Sequence, residues 1–181
     1  MSRNSIVLVF VICFSLLLSS CSNQCASIGE DGYSSCLDEI QYANIHMPRL
    51  SDLGEYEDIS IKRKDTNRIL WADTYTITLI VQYDELVFID VKEKIFEQYA
   101  FLEECNSKLL DIEADVNGFD IRVVKKEECI TGDNGYYYPK YFLMIGVNNA
   151  TNQVAYLFHH DFDLDTIKDL DGFIRDHYSL D

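Results

Sequence analysis

Thr74-Tyr75-Thr76-Ile77-Thr78-Leu79-Ile80-Val81-Gln82-Tyr83 is the stretch on which the fold turns. Tyr75, Ile77, Leu79, Val81 and Tyr83 alternate with Thr74, Thr76 and Thr78. A period of two sends successive side chains to opposite sides of a strand. Threonine, tyrosine and β-branched residues all suit a pleated surface. The stretch reads as a strand with one apolar face and one threonine face.

Working outward, Asp84-Glu85 can turn the chain back into residues 86–91, which predicts a hairpin. Asp90 and Glu93 have the spacing of a capping box. A helix is expected after them, with Ile95, Tyr99, Leu102, Cys105, Leu109 and Ile112 on one stripe, ending by Asn117-Gly118. On the N-terminal side, Ile59 and Ile61 alternate with polar residues as a weaker strand, and residues 68–71 read as another. Before Pro48, the spacing of Tyr33, Cys36, Leu37, Ile40 and Ala43 predicts a short first helix.

The second half repeats this order of elements. Phe119, Ile121 and Val123 alternate, and residues 136–147 are apolar enough for a central strand, with Pro139 marking a bulge or edge. Residues 148–152 turn the chain into 153–160. Asp165 can cap a last helix that buries Ile167, Leu170, Ile174 and Tyr178, with Gly172 weakening it. The expected class is α+β: a mainly antiparallel sheet of five or six strands, two longer helices packed on one face, and a short N-terminal helix.

The N-terminus carries a different message. Arg3 precedes an apolar run over residues 6–18, interrupted only by Ser15. That run is short for a membrane span, which takes about 20 residues, and fits the core of a secretory signal. Leu18-Ser19-Ser20-Cys21 then resembles the lipobox of bacterial lipoproteins. The resemblance implies cleavage between Ser20 and Cys21, a diacylglycerol thioether on Cys21, and acylation of the new amino group. It further implies an envelope location, on the outer membrane facing the periplasm in a Gram-negative cell, since Ser22 is not Asp. The expected organisation is a signal over 1–20, a lipidated tether over 21–32 and one domain over 33–181, with the membrane held through Cys21.

The chain has 31 acidic and 15 basic residues, a net charge of −16. Loss of the signal removes one base, Arg3, leaving 31 acids against 14 bases, or −17. Nucleic-acid binding needs a basic face and is excluded as an expectation. A basic envelope protein is the partner such a charge attracts. Of six cysteines, Cys13 leaves with the signal and Cys21 takes the lipid. Cys25, Cys36, Cys105 and Cys129 remain, and export favours disulfides. Three pairings are open; Cys25–Cys36 and Cys105–Cys129 are preferred because each joins neighbouring segments.

His159-His160-Asp161-x-Asp163-x-Asp165 is the densest polar cluster. Neighbouring strand residues point to opposite faces, so His159 and His160 do not share a metal easily. Asp169-Leu170-Asp171-Gly172 looks like part of a calcium loop, yet Ile167 and Tyr178 would occupy the first and last ligand positions. No metal and no cofactor is expected. No nucleophile elbow, zinc-protease motif or phosphate loop is present, so no catalytic residue is assigned.

The leading expectation is a non-enzymatic, lipid-anchored protein acting by protein contact, in its sharper form an acidic inhibitor or immunity protein. Asp161, Asp163, Asp165, Asp169, Asp171 and Asp176 are its expected contact residues. One alternative is a small-ligand or glycan binder using the aromatic strand, Tyr136-Tyr137-Tyr138 with Tyr141 and Phe142. The other is an envelope hydrolase, with His46, His159, His160 or His177 as its acid–base group.

Overall fold

The computed structural model describes residues 24–68, 72–105, 109–125, 141–161 and 164–180. Among these residues seven strands build one antiparallel sheet. They are β1 (Gln24–Ser27), β2 (Asp58–Arg68), β3 (Ala72–Gln82), β4 (Glu113–Val116), β5 (Phe119–Val123), β6 (Tyr141–Asn148) and β7 (Gln153–His160). Their order is β1-β2-β3-β7-β6-β5-β4. Four helices accompany them among the described residues: α1 (Glu30–Glu39), α2 (Gln41–His46), α3 (Glu85–Gln98) and α4 (Leu170–His177). A 3-10 turn lies at Leu50–Asp52.

The central strands are buried on both faces. Every residue from Val154 to His159 in β7 is buried, and so is every residue from Phe142 to Asn148 in β6. Leu79, Val81, Ile145, Tyr156 and Phe158 face one core, where α1, α2 and α3 bring Tyr33, Ala43, Phe88 and Ile95. Ile80, Met144, Ala155 and Leu157 face a second core, closed by Leu170 and Ile174 of α4 and by the β4–β5 hairpin. At Gly146 an added Cβ would lie 2.8 Å from Ile121 Cγ1, so the second core leaves no room for a side chain there.

The expected five or six strands with two longer helices on one face are therefore corrected. The sheet has seven strands, and the helices divide between its faces. The threonine face of β3 is covered. Thr74, Thr76 and Thr78 are all buried, and Thr76 Oγ1 donates to the His177 carbonyl at 3.3 Å. A threonine row is small enough to lie under a helix end and can return a hydrogen bond to it.

The hairpin expected from residues 86–91 is also corrected. Asp84 caps α3, its Oδ1 accepting from Leu86 N at 3.0 Å. The cap outweighs the β propensity of the run, because a helix puts Phe88 and Ile95, seven residues apart, onto the sheet. Leu86, Ile89 and Phe96 are left on the solvent side. Leu102, Cys105, Leu109 and Ile112 lie beyond the helix in irregular chain. That segment is fixed by backbone bonds from Leu102 N to Val123 O and from Lys125 N to Ala100 O.

Asn117 and Gly118 do not end a helix. Both have positive φ, 53° and 82°, as the tight turn between β4 and β5 requires. The last helix starts at Leu170, and its cap is Asp169 rather than Asp165. Ile167, Leu170, Ile174 and Tyr178 are nevertheless all buried. In the segment expected as a tether, Gln24–Ser27 forms edge strand β1 against β2, and α1 opens at Glu30. The 136–138 tyrosines, Pro139 and residues 69–71 lie outside the described residues.

Candidate functional site

The end of β7 and the chain around α4 bring together most of the expected acidic residues. Asp161 follows β7; Asp165 precedes α4, Asp169 caps it and Asp176 lies in its last turn. All four line one open groove of about 410 Å³, with Leu164, Ile167 and Phe173 supplying apolar surface and Lys168 and His177 its basic groups. Asp171 is directed elsewhere: its Oδ1 accepts from Asp115 N at 3.3 Å and ties α4 to β4. Asp163 lies outside the described residues.

His159 stands behind this groove. It is 1% exposed, packed against Phe142, Phe173 and His177 at ring-centroid distances of 5.3, 4.9 and 5.4 Å. Neither ring nitrogen has a hydrogen-bond partner among the described residues. Burial, reinforced by the nearby His177 and His160, lowers its pKa to about 3, so the ring is neutral near pH 7. His160 occupies the opposite face and stacks on Tyr75 at 4.4 Å, 7° from parallel. His46 stacks on Tyr141, the cross-strand partner of His160, at 5.5 Å. The four histidines considered for acid–base work thus do not converge on one place. No group of three or more His, Cys, Asp or Glu side chains suited to a metal occurs among the described residues.

A second concavity lies on the other side of the sheet. It is a cleft of about 730 Å³ between the α2–Leu53 segment, the C-terminal end of α3 and the sheet. Tyr141, from the aromatic strand, lines it with Tyr99 and the buried Tyr156, and Arg49 and Lys125 reach its rim. The other expected aromatic, Phe142, points into the opposite core. Burial raises the pKa of Tyr156 and of Tyr99, so both phenols are protonated donors at neutral pH. The sequence does not reveal this cleft. Its walls come from segments far apart in the chain, and only the sheet order assembles them.

Neither Cys36, which is buried, nor Cys105, which is exposed, forms a disulfide among the described residues. Cys36 Sγ accepts from Arg63 Nη1 at 3.5 Å, and burial raises its pKa despite that cation. Arg63 is also paired with Glu39 and Asp65, at 3.2 and 2.9 Å. Cys25 lies in β1 opposite Lys64, the neighbour of Arg63, so the backbone brings Cys25 towards the strand that Cys36 touches. Cys129 and Cys21 lie outside the described residues. No described helix is long and apolar enough to cross a membrane. No family model matches the chain, and neither curated proteins nor solved structures give a match.

Proposed function

We propose that the mature chain is a lipid-anchored envelope protein that works by contact with a basic protein, and that the groove beside α4 is the contact face. The observation that carries this reading is the convergence of Asp161, Asp165, Asp169 and Asp176 on one groove with apolar surface from Phe173. Clustered carboxylates steer a cationic partner and set its orientation, and the partly buried Phe173 ring gives it an apolar contact.

The anchor is Cys21. Only Ser22 and Asn23 separate it from β1, so the lipid would lie within roughly 10 Å of the sheet edge. The domain would ride close to the bilayer rather than on a long tether. Export also keeps Cys25–Cys36 and Cys105–Cys129 as the proposed oxidised pairs of the mature protein.

Two measurements test this. Intact mass of the membrane-extracted protein should show an N-terminal Cys21 bearing lipid; an unlipidated mature N-terminus elsewhere overturns the anchor. The full chain in detergent, used to capture partners from envelope extract, should retain a basic protein whose on-rate falls as salt rises. Asp165→Asn with Asp176→Asn should slow that association several-fold and leave the melting temperature unchanged, since exposed charges add little stability. Capture of neutral or acidic partners alone, with salt-insensitive rates, rejects the contact face.

A further inference from the structure

We propose that the cleft between α2, the end of α3 and the sheet is a binding site for an anionic sugar, a ring compound carrying a carboxylate or phosphate. This site is separate from the acidic groove and does not depend on it.

The first argument is charge. Acids outnumber bases 31 to 15 in the chain, yet at this cleft the balance is inverted. Arg49 and Lys125 line it beside one acid, Asp52. Asp52 does not neutralise Arg49: its Oδ2 accepts from Arg49 backbone N at 3.4 Å and its Oδ1 from the Ser51 hydroxyl at 3.1 Å. Neither the Arg49 guanidinium nor the Lys125 ammonium has an ion-pair partner among the described residues. Two unpaired cations at one rim, in so acidic a chain, leave a local anion site with a guanidinium able to grip two oxygens.

The second argument is the wall chemistry. The partly exposed Tyr99 and Tyr141 and the buried Tyr156 line the cleft. Tyrosine rings pack on the apolar face of a pyranose while their hydroxyls bond its rim. Tyr141 is held in place by its 5.5 Å stack on His46. Tyr33 fixes the lip of the cleft, its hydroxyl donating to the Pro48 carbonyl at 2.7 Å. A volume of about 730 Å³ is within the ordinary range of small-ligand sites and is ample for one or two sugar rings.

The test is isothermal titration of the full chain in detergent with four probes: glucuronate, glucose 6-phosphate, glucose and inorganic phosphate. Saturable binding of glucuronate or glucose 6-phosphate is expected, with glucose and phosphate each at least about tenfold weaker, because one lacks the charge and the other the ring. Whichever anionic sugar binds tighter identifies the carboxylate or the phosphate as the favoured head. Arg49→Gln with Lys125→Gln should weaken that sugar by at least about tenfold with unchanged melting. Tyr141→Ala should weaken it too, while Tyr141→Phe keeps most of the ring contact. The proposal is overturned if neither anionic sugar saturates, if glucose or phosphate alone binds as tightly, or if the Arg49/Lys125 variant binds like the parent.

Discussion

The two faces of the sheet are built by different means. The face under α1, α2 and α3 is a broad apolar core over β2, β3, β7 and β6, reading as clean alternation in β3 and closed by three helices. The other face lies over β7, β6, β5 and β4 and, among the described residues, carries one eight-residue helix, with the β4–β5 hairpin and the chain up to Leu180 adding to its core. Over β3 it becomes polar, with the threonine row beneath the end of α4. The difference teaches that an alternating strand at the sheet centre does not identify a solvent face. A row of small hydroxyls can be a packing surface, and the continuous apolar runs of the neighbouring strands are the safer sign that both faces are covered.

The largest effect follows from that statement. Leu79 and Leu157 are both fully buried, one on each face. Leu79→Ala and Leu157→Ala should each cost about 2–5 kcal/mol of unfolding free energy, the cost of deleting a packed leucine side chain. Urea titration of the two variants measures it, through a lower midpoint at unchanged slope. If Leu157→Ala moved the midpoint by less than a tenth of the Leu79→Ala shift, the second face would not be a core.

How much of this was legible depends on the residue. The strands β3 and β5 are readable because periodicity and turn residues agree in them, and β7 because the turn at 148–152 leads into a short apolar run. The helix α3 was not, because residues 86–91 carry strong strand propensity and only Asp84, read as a turn, marks the cap. Strand β4 is hidden by the helical spacing of Leu109 and Ile112 before it, although Asn117-Gly118 is among the strongest short hairpin signals and Ala114 and Val116 alternate ahead of that turn. In the acidic groove, the chain spacing around α4 made four of the carboxylates foreseeable. The cleft was not, since Arg49, Tyr99, Lys125 and Tyr156 meet only through tertiary structure.

A second prediction separates the faces by pH. His159 belongs to the second face only, and burial holds its pKa at about 3 in the folded chain, well below its ordinary value of 6.5. Between those values the unfolded chain binds the proton and the folded chain does not. Stability is therefore full above about pH 6.5 and is lost as pH falls towards 3, with no further loss from this group below that. The slope approaches about 1.4 kcal/mol per pH unit, or about 2 kcal/mol between pH 7 and pH 5. The charges of His177 and His160 add to the effect of burial at this ring, so His159→Phe is the clean comparison. It keeps a ring among Phe142, Phe173 and His177 and should flatten the pH dependence over this window. Denaturant midpoints across pH 4–7 decide it, and an unchanged slope in the variant would assign the pH dependence to other groups.

The smallest effect concerns Gly172, where helix propensity and local packing oppose each other. Propensity alone makes Gly172→Ala stabilising by about 1 kcal/mol in a helix interior. The structure reverses the sign. Asp169 is the N-cap of α4 and accepts from Gly172 N at 3.0 Å, which satisfies one of the free donors at the helix start. An alanine Cβ would sit 2.5 Å from Asp169 Oδ2 and 3.1 Å from its Cγ, so the capping carboxylate would have to turn away. The alanine then loses a cap worth about 1 kcal/mol and strains the first turn of the helix that closes the second face. Gly172→Ala should therefore destabilise by about 1 kcal/mol in place of the gain. The double variant Asp169→Ala with Gly172→Ala removes the clash and should cost less than Asp169→Ala alone, because the propensity gain then returns. Thermal unfolding of the three variants gives the coupling directly. A Gly172→Ala protein more stable than the parent would mean that the cap is not what this glycine protects.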